Sequence, residues 1–268
     1  MKATTFKILY RGMNLKISTN SRLAGGDLVF FIHGLGCCKD AFDDAFKVDE
    51  MKGFSLMAID LPGFGKSSRP RGFSYSLEDQ AEVCRRVLDQ IQGNKIHIVG
   101  HSMGGAIGLL LAEKMSKVAS FIDIEGNLIS EDCGLLSRKA TVVSFQDFKG
   151  EVFDQLIAKI KQSREKGARL WATWNTMSDP FAFYRSAQSL VNWSDSRNLL
   201  KKLKGLAIKK AYIYGEKNTK MAVLHRLGSI KKIAISKSGH FVMNDNPQEF
   251  YKVLGKALGE PTKQTRRT

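Results

Sequence analysis

One pentapeptide of this sequence has the residue types and spacing of a nucleophile. Residues 100–104 read Gly-His-Ser-Met-Gly, so a serine stands between glycines two positions away on each side. An apolar run at residues 96–99 predicts a strand before it, and a helical pattern starts near Met103. Such a tight strand-to-helix turn raises the serine above the sheet, and the glycines relieve the crowding of its backbone. The pattern favours Ser102 as an exposed nucleophile.

A serine hydroxyl is a poor nucleophile unless a neighbouring base takes its proton, and five histidines are available. His240 is the strongest candidate, because it follows the last predicted strand and Gly239 lets the loop turn toward the carboxyl ends of the strands. The remaining histidines are interpreted as structural: His33, His97, His101 and His225. A Ser102–His240 pair predicts attack on a carbonyl carbon.

The elements that must position this pair follow an alternating pattern. Short apolar runs alternate with helical patterns, which is typical of a mostly parallel sheet covered by helices. The predicted strands are residues 28–32, 54–60, 96–99 and 118–125, after an N-terminal hairpin of residues 6–10 and 13–17. A capping box that begins at Ser76 predicts a helix through residue 91. The fold class is therefore α/β.

The pattern changes in the middle of the chain. Residues 128–205 show helical periodicity without a clear strand and contain all three tryptophans, Trp171, Trp174 and Trp193. Strand patterns resume at residues 210–214 and 230–235, and Asn246 followed by proline predicts a final helix through residue 258. We predict a core of residues 1–127 and 206–268 with a helical cap inserted at 128–205, whose aromatic residues roof an apolar pocket.

Four motifs together resemble the α/β-hydrolase superfamily. In chain order they are His-Gly-Leu-Gly at 33–36, Asp-Leu-Pro-Gly-Phe-Gly-Lys-Ser at 60–67, Gly-His-Ser-Met-Gly-Gly at 100–105, and Ser-Gly-His-Phe at 238–241. The resemblance implies the α/β-hydrolase fold over nearly the whole chain, with Ser102 as the nucleophile and His240 as the base. It also implies an oxyanion hole made by the backbone N–H groups of Leu35 and Met103. The helix dipole at Met103 favours the same role.

The acid that orients the histidine departs from the common pattern. Members of the superfamily usually place an aspartate three residues after the glycine that ends the strand at 210–214, and this position is Asn218. Some relatives carry the acid at the end of the preceding sheet strand, where this sequence has Glu125. Glu125 is therefore the expected acid, and Glu216 and Asp123 are the alternatives. If none of them serves, Asn218 favours an impaired enzyme, because an amide cannot stabilise imidazolium by charge.

We expect a serine hydrolase that cleaves a carboxylic ester, lactone or thioester through an acyl-enzyme on Ser102, without a cofactor. Two alternatives stay open. One is a carbon–carbon bond hydrolase on a diketone-like substrate, which the same residues could serve. The other is a ligand-binding member of the fold with low turnover. A small-molecule substrate is expected in each case.

Composition restricts location and partners. With 43% hydrophobic and 25% charged residues, the 268-residue chain can bury a core. The absence of a long apolar segment and of a secretory signal predicts a cytoplasmic protein without a transmembrane segment.

The four cysteines lack the spacing of a zinc site, so no metal is expected. The net charge of +16 lies mostly in residues 199–268, on scattered lysines without interleaved aromatics, so no nucleic acid is expected. The sequence leaves the oligomeric state open.

Overall fold

The computed structural model describes residues 1–91 and 95–261, in which eight strands form one sheet. The strands are β1 (Lys2–Tyr10), β2 (Met13–Arg22), β3 (Leu28–Ile32), β4 (Ser55–Ile59), β5 (Ile96–His101), β6 (Val118–Ile124), β7 (Lys209–Gly215) and β8 (Lys231–Ile235). Their order is β1-β2-β4-β3-β5-β6-β7-β8. The first two strands are antiparallel to their neighbours and the other six are parallel. The predicted mostly parallel sheet is confirmed.

The central strands β3, β4 and β5 are buried along their whole length. This explains why they read as continuous apolar runs rather than as alternating ones. The hairpin is longer than predicted, because β2 continues to Arg22 and pairs there with β4. The sequence hid this extension, since the residues at positions 18–21 are polar although the structure buries them.

Eleven α-helices lie in the described part of the chain. They are α1 (Leu77–Asp89), α2 (Met103–Ala112), α3 (Leu135–Val142), α4 (Phe145–Asp147), α5 (Asp154–Lys161), α6 (Lys166–Asn175), α7 (Pro180–Asp195), α8 (Asn198–Gly205), α9 (Ala222–Arg226), α10 (Val242–Asp245) and α11 (Pro247–Leu258). The Ser76 side chain caps α1 and the Asn246 side chain caps α11, as their sequence patterns predicted. The first of these helices ends two residues earlier than expected.

Helices α3 to α8 all lie between β6 and β7 in the chain, and we call them the inserted helices. No strand interrupts residues 128–205, every one of which has an assigned backbone conformation. A π-helix, Phe148–Phe153, joins α4 to α5, and a 3-10 helix, Ser130–Asp132, precedes α3. Short 3-10 helices elsewhere cover Lys39–Phe46, Asp49–Met51 and Glu216–Asn218. Within the ranges described, no helix combines the length and the apolar character needed to cross a membrane.

Candidate active site

The strand order brings the predicted motifs to one edge of the sheet. β3 and β5 are neighbours although β4 lies between them in the chain, so the connections leave their carboxyl ends in opposite directions. Ligands of open α/β sheets bind at such a switch point. The register continues across the sheet, with His101 beside Ile124 and Ile124 beside Ile213. The loops that follow β3, β5, β6 and β7 therefore meet at this edge.

Ser102 stands on a strained turn between β5 and α2. Its φ of 53° and ψ of −122° are rare for a residue with a side chain, and its N–H donates to the carbonyl of Ile124 at 2.9 Å. The turn has no room for side chains on either side. A Cβ at Gly100 would lie 2.3 Å from the carbonyl oxygen of Gly104, and one at Gly104 would lie 2.2 Å from that of Ile32. The two glycines of the pentapeptide are thus sterically required.

The Glu125 carboxylate contacts His240 from the end of β6. Oε2 of Glu125 lies 2.7 Å from Nδ1 of His240. The carboxylate is almost fully buried, and its remaining acceptor positions are filled by the Gly215 N–H at 2.8 Å and by the amide of Asn218 at 2.8 and 2.9 Å. Donors therefore surround the buried charge, which is the condition for burying a carboxylate at acceptable cost. Asn218, at the usual position of the acid, holds a carboxylate on the neighbouring strand.

The two alternative carboxylates point elsewhere. Glu216 is exposed, and its Oε2 accepts the N–H of Lys237 at 2.9 Å. Asp123 is fully buried within β6, where burial raises the pKa of its carboxyl well above the ordinary value and the nearby charge of Asp132 adds to the rise. In the described chain neither side chain is hydrogen-bonded to His240, so the structure brings together Glu125 and His240 alone.

The Ser102 hydroxyl donates to a residue that the sequence reasoning missed. Its acceptor is Oδ1 of Asn127, at 3.3 Å. The other end of the Asn127 amide donates to the carbonyl of Asp132 at 2.7 Å, which fixes the oxygen toward the serine. No Ser102–His240 hydrogen bond occurs among the described residues, although both side chains line one cavity. The only available signal was the place of Asn127, two residues beyond Glu125 at a strand end.

The candidate oxyanion donors are the N–H of the residue after Ser102 and an N–H of the loop that contains Gly34, where a Cβ would lie 3.1 Å from Cβ of Ser102. Met103 is the first residue of α2, where a backbone N–H has no acceptor within the helix. Leu35 lies in the loop after β3. The buried ring of His33 in the same loop accepts the Leu61 N–H at 3.1 Å, and its Nδ1 lies 2.8 Å from the Gly34 carbonyl. Burial lowers the pKa of His33, so the ring is neutral and donates from Nδ1 to that carbonyl.

His101, the last residue of β5, links this strand to the loop of His240. Its Nε2 lies 2.9 Å from the backbone carbonyl of His240. Burial lowers the pKa of His101 well below the ordinary value, and the neighbouring His240 lowers it further. The ring is therefore neutral, and Nε2 carries the proton that it donates to the carbonyl.

A cavity of about 440 Å³ opens above these residues, a volume within the usual range of small-molecule sites. Both Ser102 and His240 line it. Its apolar lining consists of Leu35, Leu136, Ile160, Ala168, Trp171, Phe183, Leu190 and Phe241. The predicted aromatic roof thus includes Trp171, whereas Trp174 and Trp193 lie outside the lining. No lysine or arginine of the described residues lines the cavity, but the carboxylates of Asp132 and Glu165 do. No cluster of three or more possible metal ligands occurs in the ranges 1–91 and 95–261.

Comparison with known proteins agrees with this architecture. A family model described as alpha/beta hydrolase fold matches residues 27–140. The chain is 37% identical over 98 residues to a probable lysophospholipase of Arabidopsis thaliana, BODYGUARD 4, a match that covers 36% of this chain and 24% of that protein. It is also 37% identical over 111 residues to Lipase 1 of Psychrobacter immobilis, covering 41% and 34%. The chain thus spans only a quarter to a third of the length of these curated relatives.

Solved structures extend the similarity to the whole fold. A carboxylesterase structure from Nitrososphaera gargenis superposes with a TM-score of 0.77 and 18% identity, covering 94% of this chain and 97% of that one. With the sheet order and the four motifs, these matches confirm the α/β-hydrolase fold.

Proposed function

We propose that the protein is a serine hydrolase that cleaves carboxylic esters through an acyl-enzyme on Ser102. The observation that carries this proposal is the 2.7 Å contact of Glu125 with the His240 imidazole, whose ring lines the same cavity as Ser102. The relatives named above include a lipase and a probable lysophospholipase, both of which are named for ester hydrolysis. Their similarity supports this reaction class without specifying the substrate.

In the first half of the reaction, Oγ of Ser102 attacks the ester carbonyl carbon and its proton passes to Nε2 of His240. Glu125 accepts the Nδ1–H of His240, fixes the tautomer and stabilises the imidazolium. The N–H groups of Leu35 and Met103 bind the oxyanion that forms. His240 then gives its proton to the leaving alcohol, so that the ester bond breaks and the acyl group stays on Ser102.

In the second half, His240 takes a proton from water, and the water oxygen attacks the acyl carbon. The tetrahedral intermediate collapses, Oγ of Ser102 recovers the proton, and the carboxylic acid leaves. In the structure the Ser102 hydroxyl donates to Asn127, so this hydroxyl must rotate toward His240 before attack. Catalytic hydrogen bonds often tighten in this way only when substrate binds.

The charges around the cavity favour a neutral substrate. The lining carries the carboxylates of Asp132 and Glu165, and Glu165 is itself paired with Lys217 at 3.0 Å. Because no lysine or arginine of the described residues lines the cavity, a carboxylate on the substrate would enter without a permanent counter-charge. We therefore propose neutral esters with apolar acyl groups; lactones and thioesters with the same groups fit the same chemistry.

The proposal includes the division of the chain into a core of 1–127 and 206–268 and a cap of 128–205. It also includes a cytoplasmic location, with which the four free cysteines agree. A carbon–carbon bond hydrolase would use the same residues, and no side chain of the cavity favours it over the ester hydrolase. Donation from Asn218 to Glu125 argues against an impaired enzyme, because the acid is then in place.

The test is hydrolysis of two matched ester series that share one alcohol. One series has neutral acyl chains of increasing length, and the other has the same chains ending in a carboxylate. We expect the neutral series to be cleaved with higher kcat/KM at every length. Ser102→Ala should lower kcat by about 10⁴-fold or more while the circular dichroism spectrum is unchanged. Turnover by Ser102→Ala near that of the wild type would refute the proposed nucleophile.

A further inference from the structure

The oxyanion loop, which we define as residues 33–36, is bound directly by an inserted helix. Trp171 of α6 donates its indole Nε1–H to the backbone carbonyl of Leu35 at 2.8 Å. The two residues are separated by 136 positions in the sequence, so this bond joins the insertion to the loop that carries the candidate oxyanion donor. The bond leaves the Leu35 N–H free to serve as that donor.

Helix α6 packs closely against this loop. Gly36 has a φ of 71°, and a Cβ there would lie 2.9 Å from Cζ2 of Trp171 and 2.6 Å from Oδ1 of Asn175. Glycine residues flank Leu35 on both sides, and without an anchor the Leu35–Gly36 peptide could rotate readily. The Leu35 N–H belongs to the preceding peptide and is therefore held indirectly: a displacement of the loop that carried this N–H away from Ser102 would also move the Leu35 carbonyl away from the indole. The Trp171 bond opposes this displacement.

The same helix is anchored to the loop of the candidate base. Asp245 of α10 accepts two backbone N–H groups, that of Gly167 in the first turn of α6 at 2.8 Å and that of Gly239 at 3.0 Å. Gly239 immediately precedes His240. One end of α6 is thus fixed to the His240 loop, while its middle holds the oxyanion loop. The ring of Trp171 also lines the cavity, where it would contact the substrate.

We infer that Trp171 is a positioning residue of the oxyanion hole, which its indole N–H keeps assembled by holding the Leu35 carbonyl. This inference rests on the proposed function. Trp171 acts through Leu35, so its loss should weaken binding of the transition state more than binding of the substrate. A residue that merely filled space would instead change the stability or KM.

The test compares Trp171→Phe with Trp174→Phe. Both tryptophans belong to α6 and are equally buried, with 7% of each residue exposed. No hydrogen bond from Nε1 of Trp174 occurs within residues 1–91 and 95–261, so the control loses ring size but no contact with the loop. Loss of one oxyanion donor costs about 10²–10³-fold in kcat, and we expect its misplacement in Trp171→Phe to cost at least about 10-fold. Trp174→Phe should keep the wild-type kcat.

The second readout is inhibition by a trifluoromethyl ketone, which forms a tetrahedral adduct with the serine. Its Ki should rise in Trp171→Phe in parallel with the fall in kcat, and by a larger factor than any change in KM for a neutral ester that the smaller ring causes where it lines the cavity. If Trp171→Phe does not fold, replacement of Trp171 by 3-benzothienylalanine keeps the bicyclic shape and removes only the N–H. Equal kcat and Ki in the Trp171 variant and the control would overturn the inference. A wild-type protein without ester turnover would overturn the proposed function as well.

Discussion

The ends of β6 and β7 carry a carboxylate and an amide in exchanged places. At the end of β7, where the superfamily usually has its acid, Asn218 supplies a neutral donor. At the end of β6, Glu125 supplies the carboxylate that lies 2.7 Å from His240. The two side chains meet at 2.8 Å. Since adjacent parallel strands end side by side, a carboxylate from either strand can reach the same imidazole.

A second carboxylate at the end of β7 would be unfavourable. An aspartate in place of Asn218 would bring two carboxylates within hydrogen-bond distance, and like charges so close cannot both ionise without a large cost. The amide instead donates to the carboxylate on the neighbouring strand. The end of β7 thus supports the proposed acid, Glu125, without carrying it.

The largest effect should follow Glu125→Gln, which keeps the shape but removes the charge. The imidazolium would lose its counter-ion and His240 its fixed tautomer, so kcat should fall by about 10⁴-fold. Steady-state hydrolysis of a neutral ester measures it. Glu216→Gln at the end of β7 is the matched control and should keep the wild-type rate. The reverse ranking would return the acid to β7.

A smaller effect should follow Asn218→Ala. The carboxylate of Glu125 would lose a donor of a type worth about 1.5–3 kcal/mol when it bonds a charged group. Part of this loss should appear in the transition state, because Glu125 would orient His240 less firmly, and kcat should fall by about 10-fold. Asn14→Ala is the matched control, because it makes the same substitution at an exposed position of the N-terminal hairpin. An unchanged kcat in Asn218→Ala would mean that the amide does not support the acid.

The smallest expected effect is on the free energy of unfolding and comes from Asp132, which lines the cavity. Burial raises the pKa of Asp132 to about 6, against the partial compensation of the Leu128 and Ile129 N–H groups. Between the ordinary value and 6, the folded protein holds a proton that the unfolded chain has lost. The free energy of unfolding should therefore decrease as pH rises from about 4 to 6, by about 2–3 kcal/mol from this group.

Asp132→Asn removes this titration and keeps an oxygen for both N–H groups. Urea unfolding at pH 4.5 and at pH 7 should show a smaller decrease for the variant than for the wild type. The comparison of the two proteins cancels contributions from titrating groups that do not interact with Asp132; Asp123, whose pKa the Asp132 charge helps to raise, is the exception. Equal decreases would show that Asp132 is not responsible.

Local sequence patterns were sufficient to predict two of the candidate site residues. Ser102 was recognisable because its turn lies between an apolar strand and a helix, and His240 because a glycine turns its loop at a strand end. For the acid, the pattern left three carboxylates, and the register of β6 against β7 was needed to see which one faces His240.

Two other contacts could not be read from the sequence. The Ser102–Asn127 and Trp171–Leu35 bonds depend on how segments distant in the sequence pack together, for which neither periodicity nor turn residues give a signal. The end of β2 was missed for a different reason, since its buried residues are polar and pair through β4. Tertiary contacts overrode the local pattern in each case.

The most direct test of the proposed Ser102–His240–Glu125 triad is the rate at which a fluorophosphonate labels the serine. This rate reports activation of the nucleophile without a known substrate. Wild type, Glu125→Gln and Glu216→Gln would be labelled in parallel and the adduct located by peptide mass. We expect an adduct on Ser102 that forms rapidly in the wild type and in Glu216→Gln, and orders of magnitude more slowly in Glu125→Gln. Equal labelling rates in Glu125→Gln and the wild type would contradict the assignment of Glu125 as the acid.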